Sequence, residues 1–351
     1  MIFKTKLLTA ASFIGGLAIA ATPAYAEGTS AGAQVTNTVT LNYKVDTVQQ
    51  NAVTATNTFT VDRKVNLTVT EEGTTTTSVA PGVTNAVTTF TVTNNSNAPL
   101  DFALAASQLA GGTAAHGGTD NFDVTNVRIF ADTNNNGTFD SGTDQVITYL
   151  DEIAADASRR IFVVADVPNT RVNGDVAGVR LTATAREAGA ANTQGAAITQ
   201  TTGANTNGVD TVFADTNANG NTARDGAHFA GDDYTVSAAT LTVTKASRVI
   251  SDPVNNTTNP KMIPGAIVEY CIVVANGAGA ATATDIAISD ILPAQTAYQT
   301  SYGIKTNGTM TGSTCNEGAG SGTFANGTVS GTIANVAAGE ARNLLFRVTV
   351  N

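Results

Sequence analysis

The sequence predicts an all-β chain: two immunoglobulin-like antiparallel β-sandwich domains in tandem after a signal peptide. Three observations carry this expectation. Apolar residues alternate with Thr and Asn in short runs, the pattern of half-buried strands. Lys, Glu and Leu, which usually fill helices, are scarce beside Thr, Ala, Asn and Gly. A segment of the first half also returns in the second. Pro81-Gly82, Phe90-Thr91-Val92-Thr93-Asn94 and Leu100-Asp101-Phe102-Ala103-Leu104 correspond to Pro264-Gly265, Cys271-Ile272-Val273-Val274-Ala275-Asn276 and Thr284-Asp285-Ile286-Ala287-Ile288. The closing strands match as well: Ala154-Ala155-Asp156 before Ile161-Phe162-Val163-Val164, and Ala337-Ala338-Gly339-Glu340 before Leu344-Leu345-Phe346-Arg347-Val348.

Residues 1–26 read as a secretory signal. Lys4 and Lys6 form the basic end, Leu7 to Ala20 the apolar stretch, and Ala24-Tyr25-Ala26 the cleavage site before Glu27. The expected location is exported: extracellular or at the cell surface. No later run has the length of a membrane span, so no transmembrane segment is expected after signal removal. The 351-residue chain has a formal net charge of −10; losing Lys4 and Lys6 with no acid takes it to −12. That acidity disfavours nucleic acid and anionic membranes as partners.

Residues 27–188 are expected to form the first sandwich, beginning with a β-hairpin. Val35, Val39, Leu41, Tyr43 and Val45 share a phase with Val53, Ala55, Phe59 and Val61, and Asp46 to Asn51 read as the turn. The apolar face should then pack on the core, with the Thr face in water. Further strands are expected at Val87–Val92, Leu100–Leu104, Val127–Phe130, Val146–Leu150, Ile161–Val167 and Val179–Ala185. Residues 189–233, rich in Asn, Gly, Ala and Thr, read as a loop or linker. The second sandwich is expected over 234–351, with strands at Leu241–Val243, Ile267–Val274, Ile286–Ile291 and Leu344–Val350.

Cys271 and Cys315 are the two cysteines. In an oxidising compartment they predict one disulfide, worth roughly 4 kcal/mol by loop closure. The alternative is a pair of buried thiols.

The second repeat carries a family resemblance. Leu241-Thr242-Val243-Thr244-Lys245, Asn259-Pro260-Lys261, Ile263-Pro264-Gly265, Val268-Glu269-Tyr270, Asn276 and Asp285-Ile286-Ala287-Ile288-Ser289-Asp290-Ile291-Leu292-Pro293 resemble the conserved-repeat domain of prokaryotic surface proteins, also called the domain of unknown function number eleven. The resemblance spans about residues 239–351; the first repeat matches loosely and lacks the Asp-x-Leu-Pro ending. It implies a β-sandwich, export, and structural or adhesive roles in cell envelopes. It implies no catalytic residues.

The candidate chemistry is metal binding. Asp132, Asn134, Asn136, Thr138 and Asp140 lie in a loop with Gly137 at the position where a calcium loop turns sharply; Thr143 stands where the bidentate acid is usual and Asp144 follows. The other reading is an Asn-Gly turn. A partial echo comprises Asp215, Asn217, Asn219 and Asp225, with Asp232 and Asp233 nearby. Calcium is the cofactor these loops would take. His116 and His228, the two histidines, sit in no recognisable motif, and no nucleophile elbow or phosphate loop occurs.

The functional expectation is therefore a non-enzymatic exported protein, structural or adhesive, stabilised by calcium. One alternative is a surface-filament subunit built by β-strand addition; another is a secreted module binding carbohydrate or another ligand. Partners are expected among other surface proteins, glycans or further copies of the chain.

Overall fold

The computed structural model describes residues 28–351, so the expected signal segment lies outside the described residues. The regular secondary structure of the described chain is all strand apart from one short 3-10 turn at Ala218–Gly220.

It opens with a ribbon of two strands, β1 (Gln34–Leu41) and β2 (Val53–Thr60), paired antiparallel from Gln34↔Thr60 to Leu41↔Val53. The pairing continues at the tip through Lys44–Val45 and Val48–Gln49, turned at Asp46, which adopts φ 54°. The expected hairpin is present, but its apolar face does not pack on the core. Val39, Leu41, Val53 and Phe59 are all more than half exposed. Alternation in sequence states that one face is apolar; it does not state what covers that face.

Burial begins at Val65. The first sandwich contains β3 (Leu67–Glu71), β4 (Ala86–Asn94), β5 (Leu100–Gln108), β6 (Thr125–Ala131), β7 (Ser158–Asp166), β8 (Val176–Arg186) and β9 (Ala227–Val236). One sheet runs Gln145–Val146, β6, β7, β4, β3; the other runs Tyr149–Ile153, β5, β8, β9 and Thr77–Val79. Residues 145–153 thus cross from one sheet to the other. Inward-pointing Leu67, Phe90, Phe102, Ile161 and Leu181 fill the space between, each fully buried. The strict alternation of β4, buried at every second residue from Ala86 to Asn94, follows from covering one face and wetting the other.

The segment 189–233 differs from the expected linker. Thr211–Phe213 pairs in parallel with Arg63–Val65, and β9 pairs along its length with β8. The first unit therefore reaches Val236, and residues 234–236 belong to its sheet, not to the second sandwich. The sequence concealed β9 because Asp232 and Asp233 interrupt its apolar pattern, yet both are buried.

The second sandwich contains β10 (Leu241–Ser251), β11 (Ile267–Asn276), β12 (Ile286–Ile291), β13 (Ile304–Gly308), β14 (Thr328–Ile333) and β15 (Ala341–Val350). Its larger sheet runs β10, β11, β15, β13, Gly320–Ser321, with Thr296–Tyr298 also on β15. Its smaller sheet has three strands: β12, β14 and Thr323–Ala325. Ile272, Val329, Leu344 and Phe346 form the core between them.

The internal repeat has a structural counterpart. β4 pairs with β7 in the first unit as β11 pairs with β15 in the second. Gly82 and Gly265 both take positive φ (78° and 84°), and each donates its N–H to the end of the closing strand region, at Val167 and Val350. Asn94 and Asn276 end the equivalent strands, both buried.

Candidate functional site

Two features of the described chain leave strand edges and apolar side chains uncovered by its own fold. The first is the ribbon. Directly paired residues share a face, so Val35, Val39, Leu41, Val53, Ala55 and Phe59 form one apolar stripe, broken by Asn37 and Asn57. The opposite face is threonine, with Thr36–Thr58 and Thr38–Thr56 hydroxyl pairs at 2.9 and 3.0 Å. Eight residues per strand give a length of about 27 Å. Both outer edges of β1 and β2 lack a neighbour among the described strands. An isolated two-stranded ribbon is marginal in water, and its open edges and apolar stripe invite another sheet.

The second feature is a groove in the second sandwich. Among the described strands, β10 pairs only with β11, and β12 only with β14. The register Val243↔Val274, Lys245↔Ile272 and Ser247↔Tyr270 puts these β10 side chains on the core-facing side of the sheet. The small opposite sheet stops short of them: Leu241 is 43% exposed and Val243 65%. Across the gap, Ile286 and Ile288 of β12 lean onto the core from an edge with free backbone groups. Lys245 Nζ reaches Asp290 Oδ2 at 2.6 Å and lies over the Tyr270 ring at 4.6 Å, so β10 and β12 are joined at this level. A strand laid on the edge of β12 would cover Leu241 and Val243. Sequence reasoning did not find this groove, because nothing in β10 itself records that the opposing sheet is narrow.

The Asp132 loop is assembled, but around its own donors. Asp132 Oδ1 and Oδ2 accept the N–H groups of Asn136 and Gly137 at 3.1 and 2.9 Å. Asp144 Oδ1 and Oδ2 accept those of Thr133 and Asp140 at 3.0 and 2.7 Å. Asn134 and Asn136 donate their amide groups to Asp140 Oδ2, which holds the Asp140 carboxyl below its ordinary value. Thr138 is exposed and donates its N–H to Asn136 Oδ1. Arg160 Nη1 also stands 3.3 Å from Asp132 Oδ2. Calcium takes six to eight oxygens; here both buried carboxylates are turned to N–H groups, and an arginine brings positive charge beside one. Phe139 packs edge-on against Phe130 and Phe162, so the loop is anchored on apolar contact too.

In the second loop, Asp215 is buried and accepts the N–H groups of Asp225 and Gly226 at 3.1 and 2.9 Å. Asn217 and Asn219 are exposed and are not drawn to it. Asp225 Oδ1 accepts the N–H of Ala227 at 2.9 Å. Asp232 lies elsewhere, in β9.

Cys271 and Cys315 form a disulfide with their Cα atoms 6.5 Å apart. Cys271 shares a face with Leu345 and Ala246, opposite the core face, so the bond fastens the 310–315 hairpin over the back of the larger sheet. Beneath it Glu269, only 2% exposed in its side chain, is held between Arg248 (2.6 Å) and Arg347 (2.9 Å). Among the described residues no helix is long and apolar enough to cross a membrane.

No family model matches the chain, and no curated relative does. Among solved structures it is similar to the class 5 fimbriae chaperone CfaA, at 8% identity, covering 78% of this chain and 83% of that one, with a TM-score of 0.24. It is likewise similar to the CupB6 tip adhesin from Pseudomonas aeruginosa, at 9% identity, covering 83% and 91%, again with a TM-score of 0.24. Likeness at this level carries no argument.

Proposed function

We propose that the chain is an exported, non-enzymatic structural subunit of a surface assembly, joined to further copies of itself by β-strand addition. The ribbon of one molecule enters the groove between β10 and β12 of the next. The observation that supports this reading is the exposed apolar stripe on a ribbon with two open edges. Its eight-residue strands are long enough to cover the six residues of β12. Its apolar side would lie over Leu241 and Val243, and its threonine side would face water.

Charge supports the same partner. In a chain of net charge −10, the ribbon 34–60 carries only Lys44 and Asp46, and the groove carries the Lys245–Asp290 pair. Both surfaces are locally neutral, so they can approach where the rest of the molecule repels its copies. Ribbon and groove lie on different units, which makes the contact head-to-tail and lets it propagate as an open chain.

The test is light scattering of residues 27–351 across a concentration series, beside a variant with 34–60 replaced by a short Gly/Ser segment. A second variant, Val243→Lys, alters the groove alone. The intact chain should assemble while both variants remain monomeric; Val243→Lys should keep the parent's circular dichroism, and the ribbon replacement should lose only the strand signal of residues 34–60. A chain that stays monomeric throughout, or a Val243→Lys variant that assembles as well as the parent, would sink the reading.

A further inference from the structure

We propose that Glu71, His116 and Asp232 form a binding site for one divalent transition-metal ion of the zinc type, which clamps the two sheets of the first sandwich together. The three residues are far apart in sequence and come from three parts of the fold. Glu71 ends β3 in one sheet, Asp232 lies in β9 of the other, and His116 sits in the loop between β5 and β6. A tight loop presents the histidine. Ala114 and Gly118 exchange a backbone hydrogen bond at 3.2 Å, and Gly118 has φ 78°, where a Cβ would meet Val176 Cγ2 at 2.9 Å. His116 N–H is held by Asp233 Oδ1 at 2.7 Å.

The geometry fits a shared ion. His116 Nε2 lies 3.4 Å from Asp232 Oδ1 and 3.6 Å from Glu71 Oε2, and one donor atom from each residue lies within 4.8 Å of the other two. Zinc bonds of about 2.0–2.1 Å in a tetrahedron place neighbouring donors about 3.3 Å apart. One imidazole with two carboxylates is a donor set suited to zinc and its neighbours; a nitrogen ligand counts against calcium and magnesium. The cluster lines a cavity of about 540 Å³, which leaves room for water at the fourth position.

Independent signs point to cation binding. His116 Nε2 is buried with no hydrogen-bond partner, although two carboxylates face it. Asp233, fully buried beside the cluster, has Oδ2 equally unpartnered. Among the described residues, His116 supplies the only nitrogen that ion-pairs with Glu71 or Asp232. Arg180, which lines the same cavity, stacks on the Phe229 ring at 3.8 Å instead of pairing with them. Buried carboxylates are costly without a compensating charge. The competing account is an ion pair of His116 with the two acids, with no metal involved.

The experiment is calorimetric titration of the metal-free chain, residues 27–351, with zinc chloride, alongside cobalt(II) absorption spectra and melting curves. The expected results are one site per chain, visible cobalt bands of a tetrahedral N/O set, and a zinc-dependent rise in melting temperature. His116→Ala should weaken binding by about a hundredfold or more, since even outer-shell losses cost ten- to a hundredfold. Its circular dichroism should stay that of the parent. Glu71→Gln, at a position less buried than Asp232, should weaken binding in the same direction. Absence of zinc binding overturns the proposal, and so does zinc binding that His116→Ala leaves unchanged. A His116→Ala variant that loses stability equally with and without zinc would assign the cluster to the ion pair and also overturn it.

Discussion

Asn94 and Asn276 do the same work in the two units. The Asn94 side chain donates to the carbonyls of Ala98 and Ile153 at 2.9 and 2.8 Å, and its oxygen accepts the N–H of Ser96 at 3.0 Å. Asn276 donates to Ala281 and Val336 at 2.7 and 3.0 Å, and accepts from Thr240 at 2.9 Å. Each asparagine thus closes the turn after its strand onto the segment that leads into the closing strand. A buried amide that satisfies carbonyls on both sides costs about 1–3 kcal/mol to remove, because its partners are left unpaired. Asn94→Ala should lower the melting transition of the first unit, and Asn276→Ala that of the second. Calorimetry of the two variants checks this; a transition that does not move in its own unit would contradict the pairing. These residues were legible in the sequence as the repeated end of a strand, although only the structure shows why asparagine stands there. The Asp132 loop was legible as a loop, while the N–H groups that its carboxylates accept were not, because acid spacing does not record which backbone groups turn toward the side chains.

At the level of elements, strand placement was largely readable, because most strands keep one face wet and alternate accordingly. The exceptions have physical causes. β9 carries two buried acids in mid-strand, and the ribbon alternates without a core beneath it. Pattern reports which residues share a face, whereas burial depends on what arrives from elsewhere in the chain. The disulfide was readable from two cysteines behind an expected export signal. It closes a separation of 44 residues across the larger sheet of the second sandwich. Breaking it in a Cys271→Ser/Cys315→Ser variant should destabilise that unit by roughly 4 kcal/mol on the chain-entropy account. The first unit, which contains no cysteine, should melt as before. Two resolved calorimetric transitions, with only one displaced, are the expected result; a shift of both would mean that the units unfold together.

For the whole molecule, the least legible property is how distant segments are fastened, since such contacts join residues that no local pattern connects. Arg63 is the clearest case. It stands just after the ribbon, in the strand that pairs with Thr211–Phe213, and its guanidinium grips the Glu187 carboxylate from both nitrogens, one contact measuring 2.7 Å. It also donates to Thr211 Oγ1 at 2.9 Å. The base of the ribbon is therefore tied to the long segment that follows β8. The hydrogen bonds from Arg63 hold the Glu187 carboxyl below its ordinary value of 4.5. Asp252 is depressed in the same sense, to about 2, chiefly by the N–H of Asn255. A carboxyl whose folded value is lowered contributes stability that is full above its unfolded value. That contribution disappears as pH falls through the folded value, because the unfolded chain takes up the proton first. Stability should accordingly decline as pH drops below about 4.5. Glu187→Gln removes one contributor, so it should melt below the parent at pH 6 and follow a shallower acid slope toward pH 3. Asp252 continues to titrate in the variant and keeps that slope from vanishing. Melting temperatures of the two proteins across this range give the answer. Converging curves place the Arg63–Glu187 tie among the contacts that acid releases; coincident curves across the whole range would mean that the pair adds nothing to the fold.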